Sequence, residues 1–300
     1  MATPKKFKAQ SSKLQRFSES RPKRGLPAGL GLHSWNFSGV WILVLGVSLV
    51  CSPLRTVAAD AAIPALPQVS SGDASNRVYR AYLELRDRFA TDNTNAQTAW
   101  NFARACFDRA DFSTNNAQRA ELAEQGIAAS KRSLQLDPQS AAAYFYLGVN
   151  LGQLARTKLF SALGLLDDME AAWEKSIQLD KKFNHAAAHR SLGLLYLDAP
   201  GWPISLGSRS KARQYLQKAI ELVPEYPENH LAWLEARLRW GEMRETQSQL
   251  ATVEAALQSA RTNFTGETWA RDWEDWDARW KAIKAKAGAS TTAHSPRDLR

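Results

Sequence analysis

A glycine-rich stretch, LDAPGWPISLGSRSKARQYL (Leu197–Leu216), is the first candidate for chemistry, because glycine-rich loops before a basic helix can hold phosphate. A P-loop needs four residues between its two glycines and a Lys directly after the second. Here five residues separate Gly201 from Gly207, and Ser208 follows. The stretch therefore predicts a connection between two helices, the second capped by Ser208 or Ser210. A modest anion site at that helix N-terminus is the alternative.

Other residues that could do chemistry lack the neighbours that the chemistry needs. His185 and His189 are four apart on a predicted helix, but no Glu follows the first His as in a metalloprotease. Cys106 lies in an apolar helical pattern, which predicts a buried thiol. The neighbouring carboxylates Asp167 and Asp168 would point about 100° apart on a helix and do not converge. The sequence therefore predicts no enzyme, no metal site and no cofactor.

The positive charge of the chain is concentrated in its N-terminal segment. The formal net charge of the chain is +9, and residues 1–59, with nine Lys and Arg and one acid, supply 9 − 1 = 8 of it. The rest of the chain is therefore close to neutral, which disfavours binding to nucleic acid. The apolar run Val40–Val50, followed by the small residues of VAADAA, is typical of a signal peptide. An uncleaved membrane anchor that begins near Trp35 is the alternative. Both interpretations predict that residues 60–300 are periplasmic or secreted, or anchored to the inner membrane and outside the cytoplasm.

Helical periodicity extends over residues 74–287 without an alternating strand pattern, which predicts an all-α fold. Before it, residues 60–73 are rich in Ala, Pro, Ser and Gly and predict a linker. After it, residues 288–300 form a polar tail that we expect to be disordered. These boundaries predict one helical domain behind an N-terminal leader.

The helical part repeats itself with a long period. The segments SLQLDPQSAAAYFYLG, SIQLDKKFNHAAAHRSLG and AIELVPEYPENHLAWL place Leu136, Leu179 and Leu222 at intervals of 43 residues, which is typical of a helical solenoid. LDPQSAAAYFYLG resembles the tetratricopeptide repeat (TPR), in which Leu-Asp-Pro ends one helix and an aromatic residue and Leu-Gly follow on the next. The elongated units are similar to those of T-component proteins of TRAP-type solute transporters. The first unit, with WNFARACF, resembles regulator-of-microtubule-dynamics proteins.

The resemblance implies a right-handed solenoid of helical hairpins with a C-terminal capping helix. The expected units are about 97–136, 141–180, 184–223 and 228–260, with the cap at 264–287. The length beyond the usual 34 residues of a TPR falls in TKLFSALGL and APGWPISLGS, between the helices of a unit. Four tryptophans form one stripe along the cap helix, namely Trp269, Trp273, Trp276 and Trp280. The stripe predicts a helix that packs on the last unit of the solenoid. A partner-docking or membrane-interface helix is the alternative.

In TPR proteins the first helix of each unit lines a concave groove, which here implies a binding surface for a protein or peptide. The implied groove residues are Phe145, Val149, Gln153, Arg190, Leu194, Asp198, Glu235, Leu238 and Arg239. Trp202 and Ile204 are expected either to brace the solenoid or to contact a partner. The leading hypothesis is an exported, non-enzymatic scaffold. The alternative is a periplasmic transport accessory subunit that forms homo-oligomers and binds a small solute.

Overall fold

The computed structural model describes residues 71–158 and 162–292, and the predicted leader lies outside this part of the chain. Within these ranges there are ten α-helices and no strand, so the prediction of an all-α fold is confirmed. In chain order the helices are α1 (Ser71–Thr91), α2 (Ala96–Asp111), α3 (Asn116–Leu136), α4 (Ala141–Ala155), α5 (Leu163–Leu179), α6 (Phe183–Asp198), α7 (Arg209–Leu222), α8 (Pro227–Arg239), α9 (Met243–Asn263) and α10 (Glu267–Thr292).

Consecutive helices pair as hairpins, and the hairpins stack on one another. The pairs are α2 with α3, α4 with α5, α6 with α7 and α8 with α9, and the first helix of each hairpin also contacts the first helix of the next. The hydroxyl groups of Ser133 and Ser176 make equivalent bonds, donating to the carbonyl oxygens of Ala96 (2.8 Å) and Ala141 (2.9 Å). Two residues 43 positions apart therefore join the two helices of their hairpins in the same way.

Glycines of the Leu-Gly pattern allow the two helices of a hairpin to approach closely. A Cβ atom at Gly148 would lie 2.4 Å from the indole nitrogen of Trp173, which is fully buried and donates to the carbonyl oxygen of Phe145. A Cβ at Gly193 would lie 2.6 Å from the side chain of Leu216. These contacts are shorter than any side chain tolerates, so glycine is required where α4 meets α5 and α6 meets α7.

The connection between α6 and α7, residues 199–208 (the α6–α7 loop), has a defined conformation. The N–H of Gly207 donates to the carbonyl oxygen of Pro200 at 2.9 Å, and a Cβ at Gly207 would lie 2.1 Å from the carbonyl oxygen of Ala199. The side chain of Ser208 accepts a hydrogen bond from the first turn of α7, as the sequence predicts. The glycines thus fold a short connection back on itself and do not form a phosphate cradle after a strand.

The ends of the stack are covered by α1, which packs on α2, and by α10, which packs on α8 and α9. Trp276 and Trp280 of α10 are buried in the same apolar cluster as Leu257 of α9. The first helix begins at Ser71, three residues before the predicted start of the domain, and α10 continues to Thr292, beyond the predicted end at residue 287. Across the described ranges no helix has the length and apolar character of a membrane span.

Candidate functional site

The cysteine and histidines considered for catalysis or metal binding are wholly or partly buried, whereas Asp167 and Asp168 are exposed. Cys106 is fully buried, as predicted, and burial raises the pKa of its thiol far above the usual range, which suppresses nucleophilic thiolate. Burial lowers the pKa of His185 and of His189 to about 4, so both imidazoles are neutral at pH 7. The His189 ring packs near the ring of Tyr215. Among the residues described, no three His, Cys, Asp or Glu side chains are grouped as metal ligands would be.

Four of the predicted groove residues are buried and do not line a surface. Phe145 and Val149 have no exposed area, because both belong to the apolar core that the first hairpins share. In that core the ring of Phe145 packs against the ring of Phe183. Gln153 is also fully buried and donates to Asp111 of α2 at 3.2 Å. Arg190 donates to Asn229 of α8 at 2.7 Å. Helix periodicity does not show how closely neighbouring first helices approach, and here that packing buries these four side chains.

Four other predicted groove residues lie at the C-terminal ends of α6 and α8. Arg239 is exposed and forms an ion pair with Asp198, which joins these two helices. Leu194 and Leu238 are partly buried against the apolar cluster that contains Leu257 and Trp276. We call these four residues the rim surface. The rim surface continues directly into the α6–α7 loop, because Asp198 is the last residue of α6.

The α6–α7 loop carries the most exposed large apolar side chains among the described residues. Trp202 is 88% exposed and Ile204 is 64% exposed, so neither braces the solenoid. The loop backbone is held by its own hydrogen bonds, including that from the N–H of Ile204 to the carbonyl oxygen of Gly201 at 3.1 Å. An ordered loop therefore presents two apolar side chains beside the rim surface, which favours the second of the two expectations for Trp202.

A cluster of arginines around Glu242 lies at the base of this loop and was not predicted. Arg209, Arg213 and Arg237 each donate to the Glu242 carboxylate, with distances of 2.5 Å for Arg209 and 3.1 Å for Arg237. These hydrogen bonds, first of all that from Arg213, lower the pKa of Glu242 to about 2. The cluster connects α7, α8 and the start of α9, so it fixes the base of the loop relative to the last hairpin. In the sequence, the basic run SRSKAR indicates a cluster of positive charge, but Glu242, the acid that pairs with it, is about 30 residues away.

The remaining predicted groove residue, Glu235, forms hydrogen bonds with Arg279 of α10. Arg279 donates two hydrogen bonds to the Glu235 carboxylate, both 2.8 Å long, and a third to Glu228 at 2.7 Å. The indole N–H of Trp276 also donates to Glu228, at 2.9 Å. Burial by itself raises the pKa of Glu228, but Arg279 and Arg190 outweigh this and hold it below its usual value. Sequence reasoning missed this pairing because its members are 44 and 51 residues apart.

Comparison with solved structures identifies the architecture. TTC0263, described as a thermophilic TPR protein in Thermus thermophilus, superposes with a TM-score of 0.52 and 19% sequence identity, over 71% of this chain and 93% of that one. The fold is that of a TPR solenoid. Two crystal structures of MamA have TM-scores of 0.42 and 0.31, with 20% and 16% identity; they cover 65% and 76% of this chain and 98% and 100% of theirs.

Sequence comparison extends the similarity only in part. Residues 65–196, less than half of the chain, match the family described as regulator of microtubule dynamics protein 1-3. No curated protein sequence matches the chain. The predicted resemblance to TRAP T-component proteins is not confirmed by these matches. In this TPR-like chain, α2, α4, α6 and α8 are the first helices of their hairpins, and we call the surface that they form the groove.

Proposed function

We propose that this protein is a non-enzymatic scaffold that binds a protein or peptide partner through the α6–α7 loop and the adjoining rim surface. The observation that carries the proposal is the exposure of Trp202 and Ile204, 88% and 64%, in a loop with a defined backbone. TPR-like folds generally mediate protein–protein contacts, which agrees with a scaffold role. Exposed apolar groups next to charged ones are typical of interaction surfaces.

The chemistry of the surface favours a partner with both apolar and charged groups. Trp202 offers a large exposed ring, and such rings contribute strongly to the binding energy of protein interfaces. Beside it, the exposed guanidinium of Arg239, which pairs with the buried carboxylate of Asp198, offers a charged group to the partner. Since the loop backbone is already ordered, binding costs less conformational entropy than it would for a loose loop.

We also propose that residues 60–300 act outside the cytoplasm. Support comes from the basic N-terminal residues, the apolar run Val40–Val50 and the small residues that follow it. A cleaved leader would leave a periplasmic or secreted protein. An uncleaved one would anchor the same scaffold to the inner membrane. The mass of the mature chain distinguishes the two.

A crosslinking experiment with matched variants tests the scaffold proposal. Tagged full chain and its Trp202→Ser/Ile204→Ser variant are crosslinked in cells, purified from the envelope fraction and compared by quantitative mass spectrometry. Tyr79→Ser is the control, because Tyr79 is also exposed, at 45%, but lies on α1. We expect the loop variant to lose at least one partner that the control retains. Equal recovery of every protein by all three chains would refute the assignment of the loop.

The same loop allows a second candidate function, a transport accessory subunit that self-associates. An exposed Trp on an ordered loop can pack against a second copy as well as against another protein. Light scattering of the full chain over a range of concentrations separates the two. A dimer that Trp202→Ser dissociates would favour self-association, and a thermal shift with small solutes would favour the transport role. A monomer without such a shift leaves the scaffold proposal.

A further inference from the structure

Helix α10 contacts more of the solenoid than a cap needs to. A capping helix covers the open face of the last hairpin and contacts only that neighbour. In this chain the guanidinium of Arg271 on α10 lies 4.1 Å from the ring centre of Phe112, the residue directly after α2 in the first hairpin. Asp108 and Asp111 of α2 attract the same guanidinium. One helix therefore bridges the last hairpin and the first.

Besides its packing against α9, helix α10 contacts residues of several first helices, the ones that form the groove. On α8 it occupies Glu228 and Glu235, which lie seven residues apart and therefore on one face. At the start of α6, the ring of Trp269 meets the ring of His185, with centres 6.1 Å apart. With Phe112 at the end of α2, three of the four first helices are involved. Helix α10 therefore caps the last hairpin on α9 and also lies along the groove side of the first helices.

The α6 segment that meets α10 has an unusual backbone. Asn184, His185 and Ala186 have φ values of 47°, 59° and 59°, in the left-handed region that residues with a Cβ avoid. Stacking of His185 on Tyr226, with centres 4.2 Å apart, and the edge contact with Trp269 accompany this conformation. Such strain persists where surrounding contacts impose it, and it concentrates at ligand clamps and switch regions.

We propose that α10 is an internal ligand of the groove, and that the site it occupies binds a helix of a partner carrying Trp and, three residues later, Arg. Trp276 and Arg279 supply this pattern in cis. Their indole and guanidinium groups donate to Glu228, and the guanidinium also to Glu235. A partner helix with the same spacing presents the same donors and competes with α10. This inference rests on the proposed scaffold function and adds a second binding site with stated chemistry.

The connection before α10 is suited to release. Gly266 has φ 87°, a conformation that glycine adopts without strain, so a short glycine-containing turn joins α9 to α10. On its outer side α10 is held by exposed ion pairs, Arg261–Asp277 and Lys284–Glu254, which contribute little in water. A partner can bind only those chains in which α10 is released. The apparent association constant of the groove is therefore the intrinsic one multiplied by the released fraction. Weakening α10 should therefore increase partner binding.

A peptide competition assay tests the proposal without the natural partner. The probe is a fluorescent peptide with the sequence of residues 264–288, and the matched control peptide carries Arg279→Ala. Full chain is used as wild type and as Arg271→Ala, which removes the contact with the first hairpin and leaves Trp276 and Arg279 in place. By fluorescence anisotropy we expect the probe to bind the Arg271→Ala chain about five- to tenfold more tightly than wild type, the effect of one cation–π contact with nearby carboxylates. The control peptide should bind at least about a hundredfold more weakly, because it leaves two carboxylates unpaired.

Three results of this assay would overturn the proposal. They are equal binding of the probe and the control peptide, equal binding of the probe to the two chains, and no binding of the probe to any chain. The loop variant Trp202→Ser/Ile204→Ser should bind the probe as wild type does. Loss of partners from that variant, together with no binding of the probe to any chain, would retain the scaffold function and remove this inference.

Hydrogen exchange on the wild-type full chain gives a test that needs no variant. If α10 is released while the hairpins stay folded, its amides exchange through an opening of their own. We expect amides of residues 270–285 to exchange at least about tenfold faster than those in the middle of α8 and α9. Exchange of all three helices together, only in global unfolding, would show that α10 is a structural cap and would overturn the proposal.

Discussion

The replacement of Gly148 by Ala tests the packing on which the hairpin geometry depends. The new Cβ would lie 2.4 Å from the indole nitrogen of Trp173, about 1 Å closer than ordinary contact allows. Trp173 cannot turn aside, because it is fully buried and its indole N–H donates to the Phe145 carbonyl oxygen at 3.3 Å. Overpacking costs about 1–3 kcal/mol, and loss of the hydrogen bond about 1 kcal/mol. The higher helix propensity of Ala recovers about 1 kcal/mol.

The expected net result is a loss of about 2 kcal/mol in the free energy of unfolding. Thermal unfolding followed by circular dichroism should show a midpoint lower by about 4–8 °C. Gly164→Ala is the matched control, because no atom lies within 4 Å of a Cβ there. Its stability should be unchanged or higher by up to about 1 kcal/mol. Equal stability of the two variants would refute the conclusion that α4 and α5 require glycine at their crossing.

Three further predictions concern ionisation and the exposed loop. The pKa of Glu242 is about 2 in the folded chain, below its unfolded value, so the stabilisation by its arginines is lost as the pH falls from about 4.5 to about 2. Urea unfolding at a series of pH values should show that the free energy of unfolding decreases less over this range in Glu242→Gln than in wild type. Because the pKa of His189 is about 4 when folded, stability should already fall as the pH drops from about 6.5 to about 4, and His189→Gln should reduce that fall; an identical profile would show that His189 is not the group responsible. Trp202→Ser should change the free energy of unfolding by less than about 0.5 kcal/mol, because the ring is 88% exposed; a larger loss would mean that Trp202 braces the fold.

The hairpin repeat could be predicted from sequence because its determinants are local. Leu136, Leu179 and Leu222 recur with the 43-residue period, and Ser133 and Ser176 occupy equivalent positions in it. Helix ends follow from nearby residues, such as Ser208, which caps α7. Cys106 could be assigned to the interior from the apolar pattern around it. In each case, residues within a few turns of one another determine the outcome.

The site could be predicted only in part, because exposure depends on distant neighbours. Phe145 and Arg190 stand at positions that face the groove in TPR proteins, yet both are buried here by packing between successive hairpins. Leu194 and Arg239 were predicted by the same rule and do reach the surface or its edge. The rule treats all units alike, whereas adjacent first helices are in much closer contact between α2 and α4 than between the later pairs.

By itself the sequence determined the helices, their pairing into hairpins and the period of the repeat, because these follow from spacing along one or two helices. Only the tertiary structure decided which faces stay open. It left Trp202 exposed to solvent, paired Arg279 with Glu228, which lies 51 residues earlier in the chain, and placed Arg271 against Phe112 of the first hairpin. The physical reason is that apolar burial and ion pairing act between any surfaces that the stack brings together, whatever their separation in the chain.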